Sequence, residues 1–230
     1  MRLQSRPKFH TSHTEVEADI LRSALAPGSR VLDAGCGRTT RLSGFRDRID
    51  RLVGADVDEP GGQANAALDD FVVADLCRPL PFAAGEFDVV YANFVVEHLE
   101  RPEHAFAEWH RVLRPGGSVI LLTSNLSNPL MAVAHVMPQP VRTAVKRVGP
   151  GAEARDVFPA GYRANTPGVL GRLLDRAGFT PVRVVFVATL HRYAGRHRLA
   201  AAALREVEHL PPSRLRSTIV GWYRRDDDRG

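Results

Sequence analysis

The fold is decided by one stretch of sequence, Val31-Leu32-Asp33-Ala34-Gly35-Cys36-Gly37. Its apolar residues predict a short buried strand over residues 30–34, with Asp33 near the carboxyl end of that strand. Gly35 and Gly37 let the backbone turn sharply and approach a ligand where a Cβ would block it. Ligands of open parallel sheets bind outside the carboxyl ends of the strands, so this turn is expected to border a binding site.

Segments typical of strands and helices alternate along the chain, which predicts parallel βαβ units and an α/β fold. Further strands are predicted over 51–55, 71–74, 87–92, 118–123, 181–188 and 217–223, and helices over 14–25, 102–113, 129–148, 167–177 and 199–209. A tight turn is predicted at Pro115-Gly116-Gly117, and an irregular loop over 149–162.

Composition excludes several classes of protein. The chain has 230 residues, of which 44% are hydrophobic and 25% charged, as in ordinary globular domains. Its mostly apolar runs are far shorter than the roughly 20 residues of a membrane span, so stable membrane insertion is not expected. Residues 1–13 lack the apolar stretch of a signal peptide, and a cytoplasmic location is predicted. Two cysteines form neither a disulfide framework nor a four-cysteine zinc site, and no metal is implied.

Charge is distributed unevenly between the two halves of the chain. Residues 1–125 carry a net charge of −4 and residues 126–230 a net charge of +9. The basic half is either a solvated surface or a face toward an anionic acceptor, a polyanion or a membrane surface. Nucleic-acid binding is not expected, because only 7% of residues are aromatic and no basic and aromatic strand platform is visible.

Two more aspartates stand at the ends of predicted strands, Asp56 after the second and Asp75 after the third. Each of these aspartates alone would fit a helix cap or a turn. Together they predict a nucleoside site, in which Asp56 accepts from both ribose hydroxyls and Asp75 accepts from an adenine amine while Leu76 packs on the base. A nicotinamide dinucleotide fits less well, because Thr40 occupies the position of the third fingerprint glycine and Asp33 would repel a pyrophosphate.

The chain resembles the class I S-adenosylmethionine (SAM) dependent methyltransferases, and most of all their small-molecule type. The resemblance covers about residues 31–125 and rests on residues 31–37, Asp56, Asp75-Leu76, the runs 81–88 and 96–99, and Arg111-Val112-Leu113-Arg114-Pro115-Gly116-Gly117. It implies a doubly wound, seven-stranded, mostly parallel Rossmann-like sheet of order 3-2-1-4-5-7-6 with the last strand antiparallel.

The resemblance also implies a role for individual residues. Gly35, Cys36 and Gly37 would lie against the methionine and ribose of SAM, and Asp33 near its amino group. Asp56 with Val57 would hold the ribose, and Asp75 with Leu76 would frame the adenine. Asn93 and Phe94 would pass beside the methionine and the acceptor, and His98 is the candidate catalytic base. Cys36 is interpreted as a small buried spacer rather than a nucleophile.

The whole chain, 1–230, is interpreted as one methyltransferase domain. Residues 14–125 form the SAM-binding core, residues 126–165 an acceptor-facing insertion or lid, and residues 166–230 complete the sheet. The acceptor is expected to be a small molecule, anionic or sugar-like, that Tyr162 and Arg163 could contact. Three alternatives stay open: a module that binds SAM without turnover, a polyanion-binding module that uses the basic half, and a nicotinamide-dependent oxidoreductase.

Overall fold

The computed structural model describes residues 12–136, 160–191, 198–209 and 212–226. Its seven strands are β1 (Ser29–Ala34), β2 (Ile49–Asp56), β3 (Asp70–Val73), β4 (Phe87–Asn93), β5 (Leu113–Ser124), β6 (Phe179–Val187) and β7 (Thr218–Arg225). They form one sheet in the order β3-β2-β1-β4-β5-β7-β6. β7 runs antiparallel to both neighbours and the other pairs are parallel, which confirms the predicted fold class and strand order.

The α-helices are α1 (His13–Ala24), α2 (Glu59–Gln63), α3 (Pro102–Val112), α4 (Pro129–Val136), α5 (Pro167–Arg176) and α6 (Arg198–His209). Shorter 3₁₀ segments span Arg41–Arg48, Val96–His98 and Ser213–Leu215. α1 and α5 begin where hydroxyl side chains cap them. Ser12 accepts from the Thr14 N–H and Thr166 from the Val169 N–H, each meeting a donor that the first helical turn leaves unpaired. No helix within the described residues combines the length and apolar character that crossing a bilayer requires.

The sheet is covered on both faces, because successive strand residues point to opposite sides and both sides are apolar. Val31 packs with α1 on one face, and Leu32 packs with α3 and α5 on the other. The two layers include Val16, Ile20 and Leu21 of α1, and Phe106, Trp109, Leu170 and Leu174 of α3 and α5. Each such side chain contributes about 1.5–3 kcal/mol when fully buried, so the sheet is a rigid platform for its edge.

The structure differs from the sequence prediction at two places. The turn predicted at residues 115–117 lies inside β5, where Phe87 pairs with Leu113 but Val89 pairs with Ser118. The extra residues form a bulge. Glycine is needed at position 117 of this bulge, because a Cβ there would stand 2.8 Å from the Arg114 carbonyl oxygen. The sequence analysis also missed α2. The helix predicted over 129–148 is described only as α4, and the loop predicted over 149–162 lies outside the described residues as far as residue 159.

Candidate active site

A cavity of about 790 Å³ opens at the carboxyl ends of β1, β2 and β4. Its wall includes the loops that follow these strands and the segment around Gly161. The structure brings together all of the residues that the sequence assigned to the cofactor or to catalysis: Asp33, Gly35, Cys36, Gly37, Asp56, Val57, Asp75, Leu76, Asn93, Phe94 and His98. Their common location is observed, and the role of each stays a prediction.

The turn after β1 requires glycine for two reasons. Gly35 has a φ of +78°, in the left-handed region that disfavours side chains. A Cβ added to Gly35 would also lie 2.3 Å from Cγ2 of Val95. The Gly35 N–H donates to the Ala55 carbonyl at 2.7 Å, which fixes the turn to the neighbouring strand. The backbone therefore borders the cavity directly, as the sequence pattern predicts.

Asp33 is a buried carboxylate with an unmet hydrogen-bonding capacity. The residue is 2% exposed, and its Oδ2 has no hydrogen-bond partner among the described residues. Burial is the main cause that raises the pKa of Asp33 to about 7; a hydrogen bond from Thr40 opposes the shift, and the charges of Asp56 and Glu17 add to it. The Oδ1 of Asn93, at the end of β4, is likewise buried without a partner in the described part of the chain. Two unpartnered acceptor oxygens on one cavity suit a ligand that carries N–H donors or a positive charge.

Asp56 is oriented by the backbone around it. Its Oδ2 accepts from the Gly37 N–H at 2.9 Å and its Oδ1 accepts from the Asp58 N–H at 2.9 Å. Each carboxylate oxygen can accept a second hydrogen bond, so the pair can still receive two hydroxyl groups. Asp58, which the sequence offers as a competing ribose partner but predicts to be exposed, lines the same cavity and is half-buried.

Asp75 and Leu76 follow β3 on the outer part of the wall. The Asp75 carboxylate accepts from the Cys77 N–H at 2.9 Å and pairs with Arg78 at 3.2 Å. Asp75 and Arg78 are both exposed, so their ion pair adds little stability. Leu76 is buried and presents an apolar surface next to this carboxylate. An apolar side chain beside a hydrogen-bond acceptor is the chemistry that a flat base with an exocyclic amine requires.

Comparison with known proteins gives a family match over part of the chain. Residues 32–121 match the family described as "Methyltransferase domain". They include the carboxyl ends of β1, β2 and β4, which border the cavity. The recognition made from the sequence is thereby confirmed at the level of the family.

Individual relatives agree with this assignment over part of their length. The chain is 33% identical over 123 residues to malonyl-[acyl-carrier protein] O-methyltransferase of Pseudescherichia vulneris, a match that spans 50% of this chain and 48% of that protein. The chain therefore spans about half the length of this relative. An S-adenosylmethionine dependent methyltransferase from Mesorhizobium loti superposes with a TM-score of 0.60 and 21% identity, over 91% of this chain and 97% of that one.

The fold alone does not select methyl transfer. The [4+2]-cyclase SpnF superposes with a TM-score of 0.62 at 20% identity, over 96% of this chain and 84% of that one. Proteins named for different activities thus share this architecture, and the reaction depends on the site.

Phe94 and His98 also line the cavity. Phe94 has a φ of +56°, which is unusual for a bulky residue, and its N–H donates to the Leu122 carbonyl at 2.8 Å. His98 ends the 3₁₀ segment Val96–His98, is half-buried and lines the cavity. Both therefore lie on the cavity wall, and their places beside the methionine moiety and the acceptor stay predictions.

Cys36 has the environment of a spacer. Its side chain is buried, and burial raises the pKa of the Cys36 thiol to about 12, helped by the charges of Asp33 and Asp56. A thiol with that pKa stays protonated near neutral pH and is a poor nucleophile. The Cys36 side chain packs against the Gly54 backbone, where a Cβ on Gly54 would meet Sγ at 2.7 Å.

Sequence reasoning missed a buried polar pair next to this site. Tyr91 of β4 lines the cavity and donates its hydroxyl hydrogen to Oε1 of Glu17 in α1. Arg41 lies 3.5 Å from the other oxygen of Glu17, while burial raises the pKa of this carboxyl group. One signal was present, because Glu17 interrupts the apolar stripe that Val16 and Ile20 begin on α1. A charged residue on a buried face needs a partner, but the sequence does not say which.

Proposed function

We propose that the chain is a SAM-dependent methyltransferase that acts on a small molecule bearing an anionic group. The observation that carries the proposal is the pair of buried, unpartnered acceptor oxygens, Asp33 Oδ2 and Asn93 Oδ1, on the wall of the strand-end cavity of a methyltransferase domain. They match a ligand with a cationic, hydrogen-bond-donating end, and a pyrophosphate would meet repulsion there.

The residues of the cavity fit SAM in every part. Asp33 and Asn93 would receive the ammonium group of its methionine end, Asp56 the ribose hydroxyls, and Asp75 with Leu76 the adenine. SAM supplies a methyl group that its sulfonium sulfur has already activated. The protein then has to align the acceptor with that methyl group and to exclude water, and alignment alone can contribute roughly 7–11 kcal/mol.

Exposed arginines on the cavity wall support an anionic acceptor. Arg101 and Arg163 line the cavity, are exposed, and have no ion pair among the described residues, whereas Arg78 pairs with Asp75. Arg38 is a further exposed arginine on this wall, and Glu100 lines the cavity as well. Guanidinium groups bind carboxylates and phosphates through paired hydrogen bonds. The sugar-like acceptor of the sequence analysis has no comparable support.

His98 is the proposed base where the acceptor is a hydroxyl group. It lies on the cavity wall beside the turn that carries Phe94, and proton removal by a positioned side chain is worth about a hundred- to ten-thousand-fold in rate. An acceptor that is already ionised, such as a carboxylate, needs no base. Loss of His98 would then leave the rate unchanged.

The ribose assignment is tested by calorimetry with the variant Asp56→Ala. Loss of two hydrogen bonds to a charged acceptor, each worth about 1.5–3 kcal/mol, is expected to weaken SAM binding at least tenfold. The matched control is Asp70→Ala, which removes an exposed carboxylate paired with Arg51 at the opposite end of the sheet. Affinity that stays unchanged in folded Asp56→Ala, or equal losses in both variants, would contradict the assignment.

A second candidate function is a SAM-binding protein that does not transfer the methyl group. The structural similarity to a [4+2]-cyclase, a protein named for a different reaction, keeps this second candidate open. Incubation of the protein with isotopically labelled methyl donor and a small-molecule cell extract, followed by mass spectrometry, separates the two. Label in a new product supports methyl transfer, while tight SAM binding with no labelled product supports the second candidate. NAD binding measured in parallel tests the oxidoreductase alternative.

A further inference from the structure

A buried polar cluster lies behind the cavity wall and takes no part in the function proposed above. It consists of Glu97, Thr123, Ser124 and Asn165, and it joins three parts of the chain: the 3₁₀ segment Val96–His98, the end of β5 and the segment that precedes α5. All four residues are at most 8% exposed, and none lines the cavity.

Glu97 accepts hydrogen bonds with both carboxylate oxygens. Thr123 Oγ1 donates to Oε2 at 2.7 Å, and Ser124 Oγ donates to Oε1 at 3.1 Å. Asn165 Nδ2 donates to Thr123 Oγ1 at 2.6 Å and to the Ser124 carbonyl at 3.0 Å. The Thr123 hydroxyl thus accepts from Asn165 and donates to Glu97, which gives the chain of hydrogen bonds one direction.

The backbone of Glu97 makes the second link. Its carbonyl oxygen accepts from the Tyr162 N–H at 3.0 Å, and Tyr162 has a φ of +50°. A bulky residue in the left-handed region costs on the order of 1–3 kcal/mol and persists only where its surroundings hold it. Glu97 therefore holds the segment of Tyr162 with its main chain, and holds the Asn165 end of that segment through Thr123 with its side chain.

The residues adjacent to these anchor points are the ones that line the cavity. His98 follows Glu97 directly, and Gly161 and Arg163 flank Tyr162. We propose that Glu97 is a positioning residue. Its buried carboxylate fixes the turn of His98 relative to the segment 160–165, and these two parts form the acceptor-side wall of the cavity. This proposal rests on the proposed function, since it names a residue that prepares the same cavity for its acceptor.

The chemistry of the cluster supports positioning over simple packing. Taking a carboxylate out of water is costly, and burial raises the pKa of Glu97 although the hydroxyl hydrogen bonds oppose the shift. Well-packed apolar side chains would fill such a space at lower cost. Directed hydrogen bonds fix orientation as well as distance, which apolar contacts do not.

The test compares Glu97→Ala and Glu97→Gln with the control Glu108→Ala. Glutamine keeps the shape and can accept from Thr123 while donating to Ser124, because hydroxyl groups rotate to suit. Glu108 is a matched carboxylate on α3 that bonds the Leu80 N–H and Arg111, away from the acceptor-side wall. Two readouts are used: hydrogen–deuterium exchange of residues 160–165, and label transfer from methyl-labelled SAM to a small-molecule extract of the source cells over a dilution series.

For Glu97→Ala we expect amide exchange at Tyr162 to accelerate about tenfold or more, in line with the loss of hydrogen bonds to a charged acceptor. The extract concentration that gives half-maximal labelling should rise by a similar factor, while the SAM concentration that gives half-maximal labelling stays within about twofold. Glu97→Gln should restore both readouts toward wild type. Glu108→Ala should change neither, even where it lowers the melting temperature.

Three results would overturn the proposal: unchanged exchange at Tyr162 in Glu97→Ala, equal effects on the half-saturation of SAM and of extract, or the same acceleration in Glu108→Ala. If Glu97→Ala does not fold, Asn165→Ala takes its place, because it removes the link to Thr123 and leaves the carboxylate in position. If wild-type protein binds no SAM and transfers no label, the proposed function fails. The exchange readout still decides whether Glu97 holds the wall.

Discussion

At the scale of single residues, burial sets the charge of Asp33 and should make cofactor binding depend on pH. Its pKa is raised to about 7, so the carboxylate has to lose a proton before it can bind a cationic group at lower pH. S-adenosylhomocysteine affinity should therefore rise between about pH 5 and 7, by up to about tenfold per pH unit, and then level off. Calorimetry across this range measures it.

The variant Asp33→Asn is the control for that experiment. An amide keeps the shape and the acceptor oxygen but does not titrate, so its pH profile should be flat between about pH 5 and 7. Its affinity at pH 7 should be lower than that of wild type, because a charge-assisted hydrogen bond is roughly twice as strong as a neutral one. A wild-type profile parallel to that of the variant would show that Asp33 does not titrate on binding.

At the scale of elements, the turn after β1 offers a controlled comparison of two glycines. Gly35 has a φ of +78° and Gly28 a φ of +81°. Alanine in this left-handed region lowers the free energy of unfolding by about 1–2 kcal/mol at either position. Around Gly28 no atom of the described residues lies within 4 Å of an added Cβ, whereas at Gly35 the Cβ would meet Val95 at 2.3 Å. The two variants therefore differ in available space alone.

We expect Gly35→Ala to lose about 1–3 kcal/mol more than Gly28→Ala in the free energy of unfolding, since overpacking a close contact costs that much. Gly35→Ala should also weaken S-adenosylhomocysteine binding, because the turn has to move away from Val95 on the cavity wall. Gly28→Ala should bind normally. Urea denaturation and calorimetry measure both effects, and equal destabilisation by the two variants would refute the steric argument.

The same turn shows which elements a sequence can predict. The run from Val31 to Gly37 predicts strand, turn and cavity edge, because apolar residues and glycines act over a few neighbours. The bulge in β5 was not predicted, because it depends on how residues 114–117 fit opposite Asp88 on another strand. The same reason applies to Glu17 and Tyr91, which are 74 residues apart and meet only when α1 packs on the sheet. The strand order was predicted through family resemblance.

At the scale of the whole molecule, one cavity is lined both by carboxylates that follow the strands and by exposed arginines, among them Arg101 and Arg163. The sequence predicted a basic second half but not where its charge would act. Of that half, Arg163 reaches the cavity, and Arg101 joins it from the acidic first half. Segment-wide net charge is therefore a poor guide to a site, because folding places residues of both halves on one wall.

The exposed arginines predict an anion site on the cavity wall of the protein when the cofactor is bound. Inorganic pyrophosphate is a suitable probe, and its binding to protein saturated with S-adenosylhomocysteine is measured by calorimetry. The double variant Arg101→Ala, Arg163→Ala should weaken binding about tenfold or more, because each lost charged hydrogen bond is worth about 1.5–3 kcal/mol. The control is Arg172→Ala, Arg214→Ala, which removes the same charge from exposed positions outside the cavity. Equal losses in both double variants would indicate general attraction by a basic protein, and no loss in either would remove the anionic acceptor from the proposal.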